Sequence, residues 1–508
     1  MALLPGGILT EEGHGAPRAK GCIRSWKPWT WRTRMGVISG AGNIASLEGI
    51  GAAELQALVG WIINAGNIAS AAAYGSATVH NADEIWAASP ALADVQAAVN
   101  LSSPGDTVRV PAGGGLVTWA NELAVRWGIL LLGPGYGNLT IKRGGSHIID
   151  YYPSNYDLNS PFRLAGFTFD GNGGDIMYLG QDGTPEAPYT AQTKIRIDHN
   201  RFYSSTSVDE NDHIMIYVGA MYGSFDNNLC ESYSQMFRNV NTGYGDDWYD
   251  ASATPGFAWT LGDANKLYFE DNTYNFGSVW SMNLVSNSQY SGRYAFRYNT
   301  FNLAQDCYPL FDMHGVQSDD TIGGMYASFG AEVYGNLVTG GHQGDFFQTR
   351  GGSSVVFCNL IPDMFYCTSS SAVMCPFQYV ELQMVHDTYF WQNRVSPTGA
   401  LVASYNDDAG INCGGHVRPA RGTDFFDNTS TPAVTAGTLA NRPVTPTLGQ
   451  AYWATDQSTT DLTGMVGKNP VTPIVGTLYY CKSAGSWTHS FTPYTYPHPH
   501  RSDPVLGD

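Results

Sequence analysis

From residue 86 to 412 the chain alternates apolar and polar positions in short runs, and the runs close on asparagine. Ile-Arg-Ile-Asp-His-Asn ends at Asn200, Ser-Phe-Asp-Asn-Asn at Asn228 and Tyr-Phe-Glu-Asp-Asn at Asn272; further runs end at Asn299, Asn336, Asn359 and Asn393. The intervals are 28, 44, 27, 37, 23 and 34 residues, centred on the length of one solenoid coil. Aligning on the asparagine removes the effect of the unequal spacing. Three residues before it stand Ile197, Phe225, Phe269, Phe296, Val333, Val356 and Phe390. Two after it stand Phe202, Cys230, Tyr274, Phe301, Val338, Ile361 and Val395. A period of two buries one face of each run as a strand. Asparagine tolerates the left-handed conformation of a corner, and stacked asparagines bond along a ladder. The pattern predicts a parallel β-helix whose unequal connections protrude from its corners.

Three segments follow from the change in character along the chain. Residues 1–85 carry Arg18, Lys20, Arg24, Lys27, Arg32 and Arg34 among Trp26, Trp29 and Trp31, then Ala-Gly-Asn-Ile-Ala-Ser twice around a helical apolar pattern. This segment reads as a docking arm onto a larger assembly or as an end cap, which solenoids require. Residues 86–423 are the β-helix. Residues 424–508 open on a Thr/Pro/Ala linker and continue with two hairpin-like runs, Gly449-Gln-Ala-Tyr-Trp-Ala-Thr-Asp and Gly476-Thr-Leu-Tyr-Tyr-Cys-Lys-Ser-Ala-Gly-Ser-Trp. The Pro-rich close, Thr492-Pro-Tyr-Thr-Tyr-Pro-His-Pro-His, is expected to run extended along the surface.

Some of these runs resemble a known family. Asp94-Val-Gln-Ala-Ala-Val-Asn followed by Pro104-Gly-Asp-Thr-Val-Arg-Val-Pro-Ala-Gly resembles the opening of pectin-lyase-like right-handed parallel β-helix proteins, where a helix caps the first coil. Phe162-Arg-Leu-Ala-Gly-Phe-Thr-Phe-Asp-Gly, Gly292-Arg-Tyr-Ala-Phe-Arg-Tyr-Asn and Arg350-Gly-Gly-Ser-Ser-Val-Val-Phe are similar to later coils of environmental and phage-associated members, tailspikes among them. The resemblance implies an all-β fold and, for spikes, a homotrimer. It does not choose among lyases, glycosidases, tailspikes and proteins without catalysis.

Composition narrows the partners. The 508 residues hold 26 Lys+Arg against 44 Asp+Glu, a net charge of −18, which argues against nucleic acid. No run reaches the roughly 20 apolar residues of a membrane span. The first residues lack a basic region followed by a long apolar core, so no secretory signal is read. Eight cysteines are too sparse for a disulfide framework and show no zinc spacing. There is no P-loop, dinucleotide-binding glycine motif, Gly-x-Ser-x-Gly elbow or HExxH.

Candidate chemistry falls in three places. Two residues before the ladder asparagine the side chain is expected to point outward, giving Asp198, Asp226, Glu270, Arg297, Tyr334, Phe357 and Trp391. On consecutive coils, Asp198, Asp226 and Glu270 would lie about 4.8 Å apart. That spacing suits a retaining glycosidase pair or a calcium site, and mutual repulsion would raise one carboxyl into a general acid. Asp312 and His314, with His342 and Arg350 further on, form a second constellation; Asp and His carry proton transfer. In pectate-lyase relatives an exposed arginine, here Arg350, serves as base in β-elimination. Third, the acidic loops at Asp209–His213 and Gly245–Asp250 lie near Trp248, Tyr249 and Trp259, flat faces on which sugars stack. No cofactor is expected beyond calcium at the acidic stripe. These features predict a protein of the virion surface or extracellular space that recognises surface polysaccharide, mounted as a spike on a larger assembly. The other readings are an exported polysaccharide lyase or glycosidase, and a structural β-helix without catalysis.

Overall fold

A computed structural model describes residues 84–507 apart from 154–159, 181–191, 210–211, 219–220, 234, 241–259, 277–284, 290–292, 305–308, 314–327, 329, 341–343, 350, 363–364, 367–384, 403–418 and 457–463. It also describes 77–81 and the short strand pair at 2–3 and 9–10. The arm in residues 1–85, with its basic and tryptophan-rich stretch, therefore lies almost entirely outside the described residues.

The helix Leu92–Leu101 buries Val95, Ala98 and Val99 against the first coil, as its apolar spacing dictates. Beyond it each coil gives one strand to each of three long sheets, of thirteen, eleven and eight strands, here the first, second and third sheets. Past the opening hairpin the first sheet is parallel, as is the third; the second ends on one antiparallel strand. This is a parallel β-helix. Sequence-distant runs meet in the register that the asparagine alignment predicts: Ile197 pairs with Phe225, Phe225 with Phe269, Phe269 with Phe296, Phe296 with Val333, and Val356 with Phe390. The inward columns stack their rings, Phe269 on Phe296 at 4.2 Å and Tyr274 on Phe301 at 4.7 Å between centroids. Cys230 and Tyr274, the two polar-leaning members of those columns, are wholly buried.

The asparagine ladder holds the corner between the first and second sheets. Asn200, Asn228, Asn272, Asn299, Asn336, Asn359 and Asn393 are all buried, and each backbone N–H of the first six donates to the side-chain oxygen of the next coil's asparagine at 2.9–3.1 Å. Asn228 bonds Asn272 directly, so the 44-residue interval is a single coil with a long connection between the third and first sheets. One expectation needs correction. The left-handed residue is not the ladder asparagine but the one before it: His199, Asn227, Asp271, Tyr298, Gly335, Cys358 and Gln392 have φ between 52° and 66°. Left-handed backbone costs a side-chain-bearing residue about 1–2 kcal/mol, so the ladder stabilises a corner that most of these residues would not choose alone.

Residues 434–491 form a four-stranded sheet in which Thr477–Ser483 and Ser486–Phe491 make a hairpin. Its inner face lies on outward side chains of the first sheet: Trp453 and Phe491 pack on Phe357, whose other neighbours in the stack are Tyr334 and Trp391. The outward aromatic column is thus buried beneath this module, which absorbs rings that composition alone would place on the surface.

Candidate functional site

The three outer faces differ in what covers them. On the first sheet, Asp198 pairs in register with Asp226, Asp226 with Glu270, and Glu270 with Arg297. The sequence places this stripe on an open face; the structure closes it. Asp198, Asp226 and Glu270 are each 0% exposed. Arg163 grips Asp198 through two bonds of 2.8 and 2.6 Å, Arg196 grips Asp226 at 3.2 and 3.1 Å, and Arg297 holds Glu270 at 2.7 Å. Each carboxylate is matched by a planar guanidinium one strand away, the geometry that arginine suits best.

The cover is the C-terminal tail, residues 494–507. It runs back along the solenoid with its main chain held by the arginines. Arg297 donates to the carbonyls of Tyr494 and Thr495, Arg196 to that of Leu506, and Arg163 to that of Gly507. Arg501 reaches down between Asp226, Glu270 and Asp271, while Tyr496 donates its hydroxyl to Asp271 at 2.7 Å. The Pro-rich close is extended only at its start: it turns into a short 3-10 helix at Pro499–Ser502, and the tail spans several coils. Guanidinium groups lie against each carboxylate of the stripe. Among the described residues no group of three or more His, Cys, Asp or Glu is arranged to hold a metal.

Electrostatics of this stripe follow burial more than repulsion. Burial pushes the Asp226 carboxyl up against the pull of Arg196, and the charges of Asp198 and Glu270 add only smaller upward pushes. At Asp198 burial also pushes up, but the bonds from His199 and Arg163 and the charge of Arg196 together hold it below its ordinary value. Burial raises Asp271 as well.

The second sheet is more open. Its outward column, three residues after the ladder asparagine, reads Tyr203, Glu231, Asn275, Asn302 and Thr339, all half-buried. These side chains bond to one another along the solenoid axis. Thr339 Oγ1 donates to Asn302 Oδ1 at 2.6 Å, Asn302 Nδ2 to Asn275 Oδ1 at 2.8 Å, and Asn275 Nδ2 to Glu231 Oε1 at 3.3 Å. From the other side Arg201 Nε donates to Glu231 Oε2 at 2.6 Å, and its guanidinium lies 4.7 Å from the Tyr203 ring centre. Each amide in the row spends one of its two N–H groups within it. The coil-to-coil step is about 4.8 Å.

The third sheet's outward column is set by register: Asp150, Tyr178, Ile216, Arg238, Asp312 and Gln348. Asp312 is wholly buried there, next to the buried Gln348 and two strands from the half-buried Arg238. His314, His342 and Arg350 lie outside the described residues, as do Trp248, Tyr249 and Trp259; in sequence His314 and Arg350 follow closely on the strands Phe311–Met313 and Phe347–Thr349. Of the acidic loop at 209–213, His213 is buried and its Nδ1 lies 3.1 Å from Asp175.

No protein-family model matches the chain, and no curated protein matches its sequence. Among solved structures it is similar to the A-module of the Azotobacter vinelandii mannuronan C-5 epimerase AlgE4, at 17% identity over 60% of this chain and 89% of that one, with a TM-score of 0.27. It is also similar to tailspike protein 3 of bacteriophage CBA120, at 12% identity over 88% and 78% of the two chains, TM-score 0.27. A third is the PL6 family alginate lyase AlyGC, at 12% identity over 72% and 63%, TM-score 0.25.

Proposed function

We propose that this chain engages a polysaccharide laid along the axis of the β-helix, on the outer face of the second sheet. The observation that carries the reading is the half-exposed row from Arg201 through Glu231, Asn275 and Asn302 to Thr339. It offers donors and acceptors at a repeat close to that of an extended sugar chain, on a rigid scaffold, while the tail covers the first sheet's carboxylate stripe. Among the described residues no helix is long and apolar enough to cross a membrane. The basic, tryptophan-rich arm in residues 1–85 supports mounting on a larger assembly, and we read the whole as a phage-type spike or appendage, trimeric and exposed on the virion or outside the cell. The test is a glycan-binding screen of the full chain. Asn302→Ala breaks the row at its centre and is expected to weaken binding about tenfold, the worth of one hydrogen-bonding group. Unchanged affinity in that variant removes the glycan from this face.

Depolymerisation is the second reading, and it rests on Asp312, a wholly buried carboxylate in an outward column. His314 and Arg350 would serve proton transfer there, and Trp248, Tyr249 and Trp259 would stack the sugar. Reducing ends or unsaturated uronides released from a polymer, with and without calcium, and lost in Asp312→Asn, support this reading. A wild-type chain that releases neither removes it.

A further inference from the structure

The C-terminal module has an outer face as well as the inner one that packs on the solenoid. Tyr452, Tyr479 and Trp487 carry that outer face, with the exposed His489 beside them. Arg442 lies on it, its guanidinium carbon 4.1 Å from the ring centre of Tyr479 and 5.6 Å from that of Trp487. The segment that brings Arg442 there is pinned on both sides. Trp487 Nε1 donates to the Pro443 carbonyl at 2.8 Å, Tyr452 Oη to the Thr438 carbonyl at 2.9 Å, and the Gly485 N–H to the Pro446 carbonyl at 3.2 Å.

Among the described residues Arg442 lacks an acceptor. Arg109, Arg126, Arg201 and Arg421, also part-exposed, each face a carboxylate. Arg442 has ring contacts alone: no carboxylate or carbonyl accepts from its guanidinium among the described residues. A guanidinium held over an aromatic ring without an acceptor keeps its donors for a ligand, and its planar fork can take a carboxylate through two parallel bonds.

We propose that this face binds a carboxylate-bearing saccharide, a uronate residue of an acidic glycan. Arg442 takes the carboxylate, the Trp487 ring presents apolar surface to the sugar, and His489 offers a partner to its hydroxyls. The saccharide identity rests on the polysaccharide reading above; the carboxylate rests on Arg442 itself. This is a site separate from the second-sheet row.

The test is calorimetric titration of the full chain with oligogalacturonate and, in parallel, with a neutral cello-oligosaccharide. Arg442→Gln is expected to weaken oligogalacturonate binding about ten- to hundredfold, the worth of charged hydrogen bonds. Arg442→Lys, which keeps the charge and loses the fork, is expected to fall between. Circular dichroism and the melting temperature show that each variant is folded. Oligogalacturonate binding that is equal in wild type and Arg442→Gln overturns the proposal, as does a wild-type chain that binds the neutral sugar alone. A change in self-association on sedimentation, with no change in sugar binding, makes the face a protein contact and also overturns it. The Asn302→Ala chain, titrated alongside, keeps the two readings apart. Loss in Arg442→Gln with no effect of Asn302→Ala sinks the second-sheet reading and leaves the module site standing, and the reverse result does the opposite.

Discussion

Replacing Asn272 by alanine is expected to destabilise the β-helix by about 3–5 kcal/mol, because each buried polar group left without its partner costs about 1–3 kcal/mol. Asn272 sits in the middle of the ladder and serves both neighbouring coils. Its Oδ1 accepts from the backbone N–H of Asn228 at 2.9 Å and from the Asn228 amide at 3.2 Å. Its Nδ2 donates to the Phe225 carbonyl at 2.9 Å and to Asn299 Oδ1 at 3.0 Å. All of these groups lie where water does not reach. Alanine deletes four bonds and strands the Asn228 N–H and the Phe225 carbonyl. Asn272→Asp keeps the shape and the acceptor, yet sets a carboxylate against two oxygens, so it is expected to be no better at neutral pH. Denaturant unfolding of the variants against wild type measures both. A midpoint within error of wild type for Asn272→Ala means that the ladder does not hold the corner.

Arg501→Ala is expected to release the C-terminal tail, with a local loss of about 3 kcal/mol, as when one partner is removed from a buried ion pair. Arg501 bonds Glu270 at 3.1 Å and also contacts Asp271 and Asp226. Glu270 keeps Arg297 and Asp226 keeps Arg196, but Asp271 is left with Tyr496 and the Asn469 N–H alone. Hydrogen exchange at residues 494–507 is expected to rise while the coils beneath stay protected; equal exchange in wild type and variant contradicts the clamp.

The same contact carries a pH dependence. His498 is held well below its ordinary value by burial, with the charges of His500, Arg297, Arg196 and Arg501 adding to it. Tyr268 and Tyr494 also pack on its ring, and its backbone N–H donates to Glu270. The folded imidazole is therefore neutral where the unfolded one begins to protonate. The unfolded chain binds more protons as pH falls through about 6.5, so the tail's attachment weakens below that pH and is unaffected above it. Burial at Asp226 and Asp271 works in the opposite sense near the carboxylate range, where their protonation relieves buried charge. Tail exchange measured at pH 7.5 and 5.5 reads the histidine window apart from the carboxylates.

The coil register was legible in the sequence because each coil from Phe162 to Ser396 turns the same short corner. Between Asp198 and Arg201, or Glu270 and Thr273, two residues intervene, so a fixed offset from the asparagine names the same column on each coil. That offset located the inward columns and the acidic stripe, and read three residues past the asparagine it contains the second-sheet row as well. The third sheet has no such anchor. The connections before it vary in length, and the Arg238, Asp312 and Gln348 column emerges only from strand pairing. The closed stripe was not legible for a different reason. Arg501 lies 231 residues from Glu270, and nothing local in the run around Glu270 signals that a distant tail will cover it.

The most direct test of where a glycan lies is hydrogen–deuterium exchange of the full chain with and without a bound polysaccharide from the screen. The account predicts added protection in the strands Arg201–Tyr203, Leu229–Glu231, Thr273–Asn275, Thr300–Leu303 and Leu337–Gly340, with none gained under the tail at Asp198, Asp226 and Glu270. Protection that appears instead on the first-sheet strands, together with faster exchange of residues 494–507, contradicts it, because the glycan would then have displaced the tail from the face described here as closed.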